Sequence, residues 1–249
     1  MAHIYRTPIG YVVEDDGAHH ALDGDPFGDW RRGVAVDAPT VVLAPLVPSK
    51  IVCIGLNYKD HAAEQGKPLP AEPLLFLKPS SAVIDPGEAI ELPDGVGRVD
   101  YEAELAVVIG RRATKVSEAD ALSHVLGLTC MNDVTARDLQ KKDGRYTRAK
   151  GFDTFAPLGP CIATGLSADD LEITGLLNGE VRQQSSTRAL IFPVATLIAY
   201  ISRIMTLLPG DIVSTGTPAG IGPLQAGDEF VVRVQGIGDL RNPVRRSHP

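Results

Sequence analysis

Two glutamates, Glu102 and Glu104, stand two residues apart in an otherwise apolar stretch, residues 101–109. Side chains on a strand alternate between faces, so this spacing points both carboxylates the same way. Ala106 and Val108 follow on that face, which gives it a buried character. Two buried carboxylates repel each other and lose their hydration, a cost that a hard divalent cation removes. The competing reading is a polar strand edge that faces solvent. Asp133 follows a second apolar run, residues 125–131, and is the natural third oxygen ligand. An aspartate after a strand is more often a helix cap, and only the two glutamates argue otherwise. Three carboxylate oxygens would leave positions on an octahedral ion for water and a bidentate substrate.

His61 and Glu64 are three residues apart in a stretch of helical pattern, which sets them on one face. A histidine held by a glutamate is a general base suited to activating water. On spacing alone, an exposed helix pair is the commoner arrangement. Lys150 precedes the mostly apolar residues 151–155 and could pair with an anionic substrate group or a developing oxyanion. Taken alone it is a solvated surface lysine. Residues 214–223 form a glycine-rich loop whose N–H groups could cradle an anion. That loop has neither the Gly-Lys-Ser/Thr of a P-loop nor the spacing of a dinucleotide fingerprint.

These side chains need elements to hold them. The patterns predict strands over 50–54, 74–77, 101–109, 126–132, 211–214 and 229–234. Asn178-Gly179 predicts a hairpin between 171–178 and 180–184. Helices are predicted over 58–65, ended by Gly66, over 117–125 with Ser117 as N-cap, over 134–142 and over 193–208. Residues 1–45 read as a small β-rich domain with a turn near Asp16-Gly17, and residues 46–249 as the catalytic domain, with Pro45 and Pro48 stiffening the join. The sum is an α+β fold with a β-rich core.

Composition narrows the partners. The chain has 249 residues, a formal net charge of -7 and no basic cluster that dominates it, so nucleic acid is not an expected partner. No apolar run is long enough for a membrane span, and residues 1–10 carry no signal core. Cys53, Cys130 and Cys161 are widely spaced and odd in number, which indicates neither a disulfide framework nor a zinc site. A cytoplasmic setting is the expectation.

The pieces stand in an order that resembles the fumarylacetoacetate hydrolase family. The resemblance runs from about Ser49 to Val244. It is carried by Gly55-Leu56-Asn57-Tyr58-Lys59-Asp60-His61, Phe76-Leu77-Lys78-Pro79-Ser80 and Asp100-Tyr101-Glu102-Ala103-Glu104-Leu105. It continues through Asn132-Asp133-Val134-Thr135-Ala136-Arg137-Asp138, Lys150-Gly151-Phe152-Asp153-Thr154 and Thr215-Gly216-Thr217-Pro218. It implies a mixed β-sandwich roll, usually a homodimer, with Mg²⁺ or Mn²⁺ held by Glu102, Glu104 and Asp133. It implies a water-activating dyad of His61 and Glu64 on a mobile lid helix, and Lys150 as the active-site lysine. Arg137, Gln140 and Thr217 match substrate-binding positions, and Lys78 a local charge partner. The implied reaction is hydrolytic C–C cleavage of a small 2,4-dioxo acid of the acylpyruvate or fumarylpyruvate type. Isomerisation of a 2-hydroxyhepta-2,4-diene-1,7-dioate, or decarboxylation of a 2-oxo diacid, is the alternative on the same site. A non-catalytic metal-binding protein is the remaining one. Some members of the family have arginine where Leu56 stands.

Overall fold

The computed structural model describes residues 1–247, so the last two residues of the 46–249 segment lie outside the described residues. Ala103–Ile109 is buried along its whole length. It pairs with Val125–Asn132 on one side and Ile212–Ser214 on the other. A strand covered on both faces has no solvent face to alternate with, which is why its sequence is a continuous apolar run. Its odd-numbered residues Leu105, Val107 and Ile109 pack into one core with Phe230, Val232, Leu240 and the helix Val194–Ile204. Its even-numbered residues Ala106 and Val108 pack into a second core with Ile4, Val13, Ile51 and Met131.

Around this strand an open sheet runs in the order Trp30–Ala35, Ala18–Gly24, Gly10–Asp15, Ala2–Thr7, Ala156–Thr164, Val125–Asn132, Ala103–Ile109, Ile212–Ser214, Ile51–Gly55, Leu74–Lys78. The first four strands of the chain thus form a meander continuous with the main sheet through the pairing of Ala2–Thr7 with Ala156–Thr164. A second sheet of five strands holds the hairpin Glu172–Leu177 and Glu180–Ser186, then Glu229–Val234, Gly238–Arg246 and Ile90–Leu92. Asn178 and Gly179 make the hairpin turn with φ of 54° and 81°, as their types require. The fold is the strand-rich α+β architecture that the patterns predict.

Four predicted elements differ, one of them the 117–125 helix, which ends at Ala121 before a 3-10 turn over Leu122–His124 and the strand that opens at Val125. Residues 101–109 are not one strand: Val99–Tyr101 and Ala103–Ile109 are separated at Glu102. The Glu102 N–H donates to the Asn132 side chain, and its carbonyl accepts from the Asp133 N–H, so local bonds replace the ladder there. Residues 134–142 do not form one helix, because Thr135–Ala136 pairs with Asp100 and Val99 and the helix begins at Arg137. The 193–208 helix ends at Ile204, where extended Met205 leads Leu207 into a bridge with Ala113. The strand Gly238–Arg246 follows the last predicted one and shows a clear in-out alternation over Leu240, Asn242 and Val244. The helix that carries His61 spans Lys59–Glu64, and Ser117 caps its helix as expected, its Oγ accepting from the Asp120 N–H.

The loop after Ile212–Ser214 turns at Gly216, whose φ is 97°. A Cβ there would stand 2.9 Å from the Asn57 Cβ and 3.2 Å from the Ile54 carbonyl. Both backbone and space demand glycine. Gly216→Ala is expected to lower the stability to urea by about 1–3 kcal/mol. An unchanged unfolding midpoint would contradict this placement of the loop.

Candidate active site

Glu102, Glu104 and Asp133 each offer a carboxylate oxygen, and these lie within 4.8 Å of one another in the buried interior. As the two-residue spacing predicts, Glu102, at the break between two strands, and Glu104, at the head of the central strand, bring their carboxylates to one side, and Asp133 joins them from the end of Val125–Asn132. Asp133 caps no helix. Its oxygens accept from the Lys78 Nζ at 2.6 Å and the Lys150 Nζ at 2.5 Å. Lys150 also donates to Glu102 at 3.0 Å and stands 4.8 Å over the Phe76 ring. Glu104 accepts from the Ser214 hydroxyl at 2.5 Å and the Gly216 N–H at 3.0 Å.

The three carboxylates differ in charge. Burial alone would raise the Glu102 pKa, but Lys150 and Arg137 overcome it and hold it at about 2. Glu104 touches no cation. Burial, reinforced by the negative charges of Asp133 and Glu102, pushes it to about 8. Lys150 is buried, which disfavours its charge, yet Asp133 and Glu102 raise its pKa above the ordinary value. Burial lowers that of Lys78, against the pull of Asp133. The donor set is three hard oxygens with one carboxylate short of counter-charge, which fits a divalent cation such as Mg²⁺ or Mn²⁺.

His61 is buried and bonds through Nδ1 to Glu64 at 2.8 Å. The other Glu64 oxygen accepts from the Gly220 N–H, and Asp60 accepts from the Ser185 hydroxyl, so the short helix is pinned from two sides. The His61 Nε2 lies 2.7 Å from the Gln65 side-chain nitrogen. Arg137 is spent on protein: it donates to Asp100, to Glu102 and to Gln140. The Thr217 hydroxyl donates to the Ala103 carbonyl and accepts from Gln183.

One cavity of about 80 Å³ is lined by His61, Glu102, Glu104, Asp133, Arg137, Gln140, Lys150 and Thr217. Glu64 reaches it through His61. Sequence reasoning missed Gln65, Lys67, Phe76 and Tyr146, which line the same cavity. The signal for the first two was local, because they flank the glycine that ends the helix. Ser214 and Asn132, which hold the glutamates, gave no signal of their own.

The sequence pattern of the family described as fumarylacetoacetate (FAA) hydrolase C-terminal matches residues 50–245. The chain belongs to the fumarylacetoacetate hydrolase family. It is 50% identical to Protein Rv2993c of Mycobacterium tuberculosis, over 96% of this chain and 98% of that one. It is 42% identical to the mitochondrial oxaloacetate tautomerase FAHD2A of Bos taurus, over 86% of this chain and 74% of that one. The crystal structure of a 2-hydroxyhepta-2,4-diene-1,7-dioate isomerase from Mycobacterium marinum superposes with a TM-score of 0.89 and 41% identity, covering 100% of this chain and 99% of that one. Enzymes of the isomerase and tautomerase type therefore stand among the relatives in this family. No helix among the described residues is long and apolar enough to cross a membrane.

Two consequences of the charge pattern are measurable. Glu104 titrates near 4.5 when unfolded and at about 8 when folded, so the metal-free protein holds a proton that the unfolded chain releases. Metal-free stability is expected to fall as pH rises between those values. Cation binding at pH 7 is expected to release about one proton. Calorimetry in buffers of different ionisation enthalpy measures it, and the absence of proton release would contradict the assignment. Lys150→Met leaves Glu102 and Asp133 short of a cation, so the metal-free variant is expected to lose about 3–5 kcal/mol by urea unfolding. Added Mg²⁺ is expected to restore more stability to the variant than to the parent.

Proposed function

We propose that this chain is a divalent-metal-dependent enzyme that enolises a small 2-oxo acid, with keto–enol isomerisation as its net reaction. The observation that carries this reading is one small cavity in which a carboxylate triad with one member short of counter-charge, Lys150 and the His61–Glu64 dyad all meet. Glu102, Glu104 and Asp133 would hold Mg²⁺ or Mn²⁺. When bound, the cation supplies Lewis acidity toward the oxo group.

The chain's own residues do the rest. The Nδ1–H of His61 donates to Glu64, which leaves Nε2 as the basic nitrogen; it accepts from the Gln65 side chain, and a substrate would displace that amide. Nε2 takes the proton from the carbon beside the oxo group and returns it at the other end of the enol system. Lys150, kept charged by Glu102 and Asp133, stabilises the negative charge that develops on oxygen. Arg137 orients Glu102, and Gln140 and the loop at Thr217 border the space for the substrate. Proton transfer needs no second nucleophile, which suits a cavity of about 80 Å³. The isomerase and tautomerase names among the relatives support the same reading.

The dyad favours a second reading. A histidine held by a carboxylate is also built to deprotonate water, and the outcome is then C–C hydrolysis of a 2,4-dioxo acid. A homodimer completes the proposal, and sedimentation at micromolar concentration tests it.

The assay is Mg²⁺- or Mn²⁺-loaded protein against oxaloacetate, a 2-hydroxymuconate-type dienoate, acetylpyruvate and fumarylpyruvate, with an EDTA control. Metal-dependent enol loss without a new carboxylate product supports isomerisation, pyruvate together with a second acid from acetylpyruvate or fumarylpyruvate supports hydrolysis, and pyruvate with CO₂ from oxaloacetate supports decarboxylation. No turnover of any of the four would overturn the reading. His61→Ala is expected to slow turnover by about 10²–10⁴-fold and to leave metal affinity unchanged. Loss of metal in that variant would contradict the assignment of His61 as the base.

A further inference from the structure

The cavity has a polarity from end to end. Its floor is buried, at Glu102, Glu104 and Asp133, and its rim is exposed, at Gln65 and Lys67. Lys67 is not placed by chance. The Gly66 N–H donates to the Ala63 carbonyl and the Lys67 N–H to the Ala62 carbonyl, both at 3.0 Å. With Gly66 at a φ of 61°, this is the paired closure that ends a helix. It ties the Lys67 backbone to the helix that carries His61. His61 and the Lys67 backbone therefore sit on one helix and its closing turn.

The charge of Lys67 is unanswered. Among the described residues its ammonium has no carboxylate or hydrogen-bond partner. The acid nearest in the chain, Glu64, has one oxygen on His61 and the other on Gly220. Lys67 thus sets a positive charge without a protein counter-ion at the mouth of the cavity, where it can meet a small anion.

We propose that Lys67 is a specificity-determining residue that reads a second carboxylate at the far end of the substrate, so that the enzyme selects 2-oxo diacids over 2-oxo monoacids. This rests on the reading of the floor as the site for the 2-oxo end. One end of the diacid meets the floor, and the other meets Lys67 at the rim. A charge-assisted hydrogen bond at such a position discriminates by about tenfold or more.

The test is calorimetric binding to Mn²⁺-loaded protein with acids matched in carbon number: oxaloacetate with 2-oxobutanoate, and 2-oxoglutarate with 2-oxopentanoate. The parent protein is expected to bind the diacid of at least one pair about tenfold more tightly. Lys67→Met is expected to abolish that preference and leave the monoacid Kd unchanged, and Lys67→Arg is expected to retain it. A preference that survives in Lys67→Met, or equal binding of both acids by the parent, would overturn the role of Lys67 and leave the site reading standing. Failure of the loaded parent to bind any of the four acids would overturn the site reading itself, and the role of Lys67 with it.

Discussion

Three carboxylates buried within 4.8 Å of one another are the constraint on which the rest of this molecule depends. Isolated, such a cluster would be far too costly to fold around. The chain answers with three cations drawn from distant parts of the sequence: Lys78 from an edge strand, Arg137 from a helix start and Lys150 from a helix end. Each is fixed to a named oxygen. These contacts pin three segments to the carboxylates, and so set where the cavity lies.

The compensation is uneven, and the unevenness is the functional feature. Glu102 and Asp133 are each held by two cations, while Glu104 has only a hydroxyl and a backbone N–H. A site neutralised completely by lysine and arginine would have no call for a metal. A site with one carboxylate left over attracts a dication and releases a proton when it takes one. In the proposed reaction, the same lysine that balances Glu102 and Asp133 would stabilise the charge developing on the oxo group. The His61 helix is held by its glutamate to the loop at Gly220 and by its aspartate to the strand Glu180–Ser186, and His61 lines the same cavity as the three carboxylates.

Much of this was legible in the sequence, for identifiable reasons. The central strand announced itself because it is buried on both faces, and the Asn178-Gly179 hairpin because only such residues take both left-handed turn positions comfortably. The carboxylate pair was visible because acids are conspicuous in an apolar run. What was not legible is the break at Glu102. A periodic pattern cannot show that the Asn132 side chain intercepts the Glu102 N–H and breaks the strand. Likewise, nothing in the spacing of Arg137 shows that it supports Glu102 and Asp100 with most of its donors. Gln65 and Lys67 fall in a short turn whose importance depends on what it overhangs, and that is a tertiary fact.

The central claim is that the triad is a cation site. Diffraction from crystals grown with MnCl₂, with data collected for anomalous scattering, tests it most directly. The account predicts one strong peak at about 2.0–2.3 Å from an oxygen each of Glu102, Glu104 and Asp133, with the Lys150 ammonium withdrawn from at least one of its two carboxylates. A triad that keeps its present lysine contacts and shows no anomalous peak at saturating Mn²⁺ would contradict it.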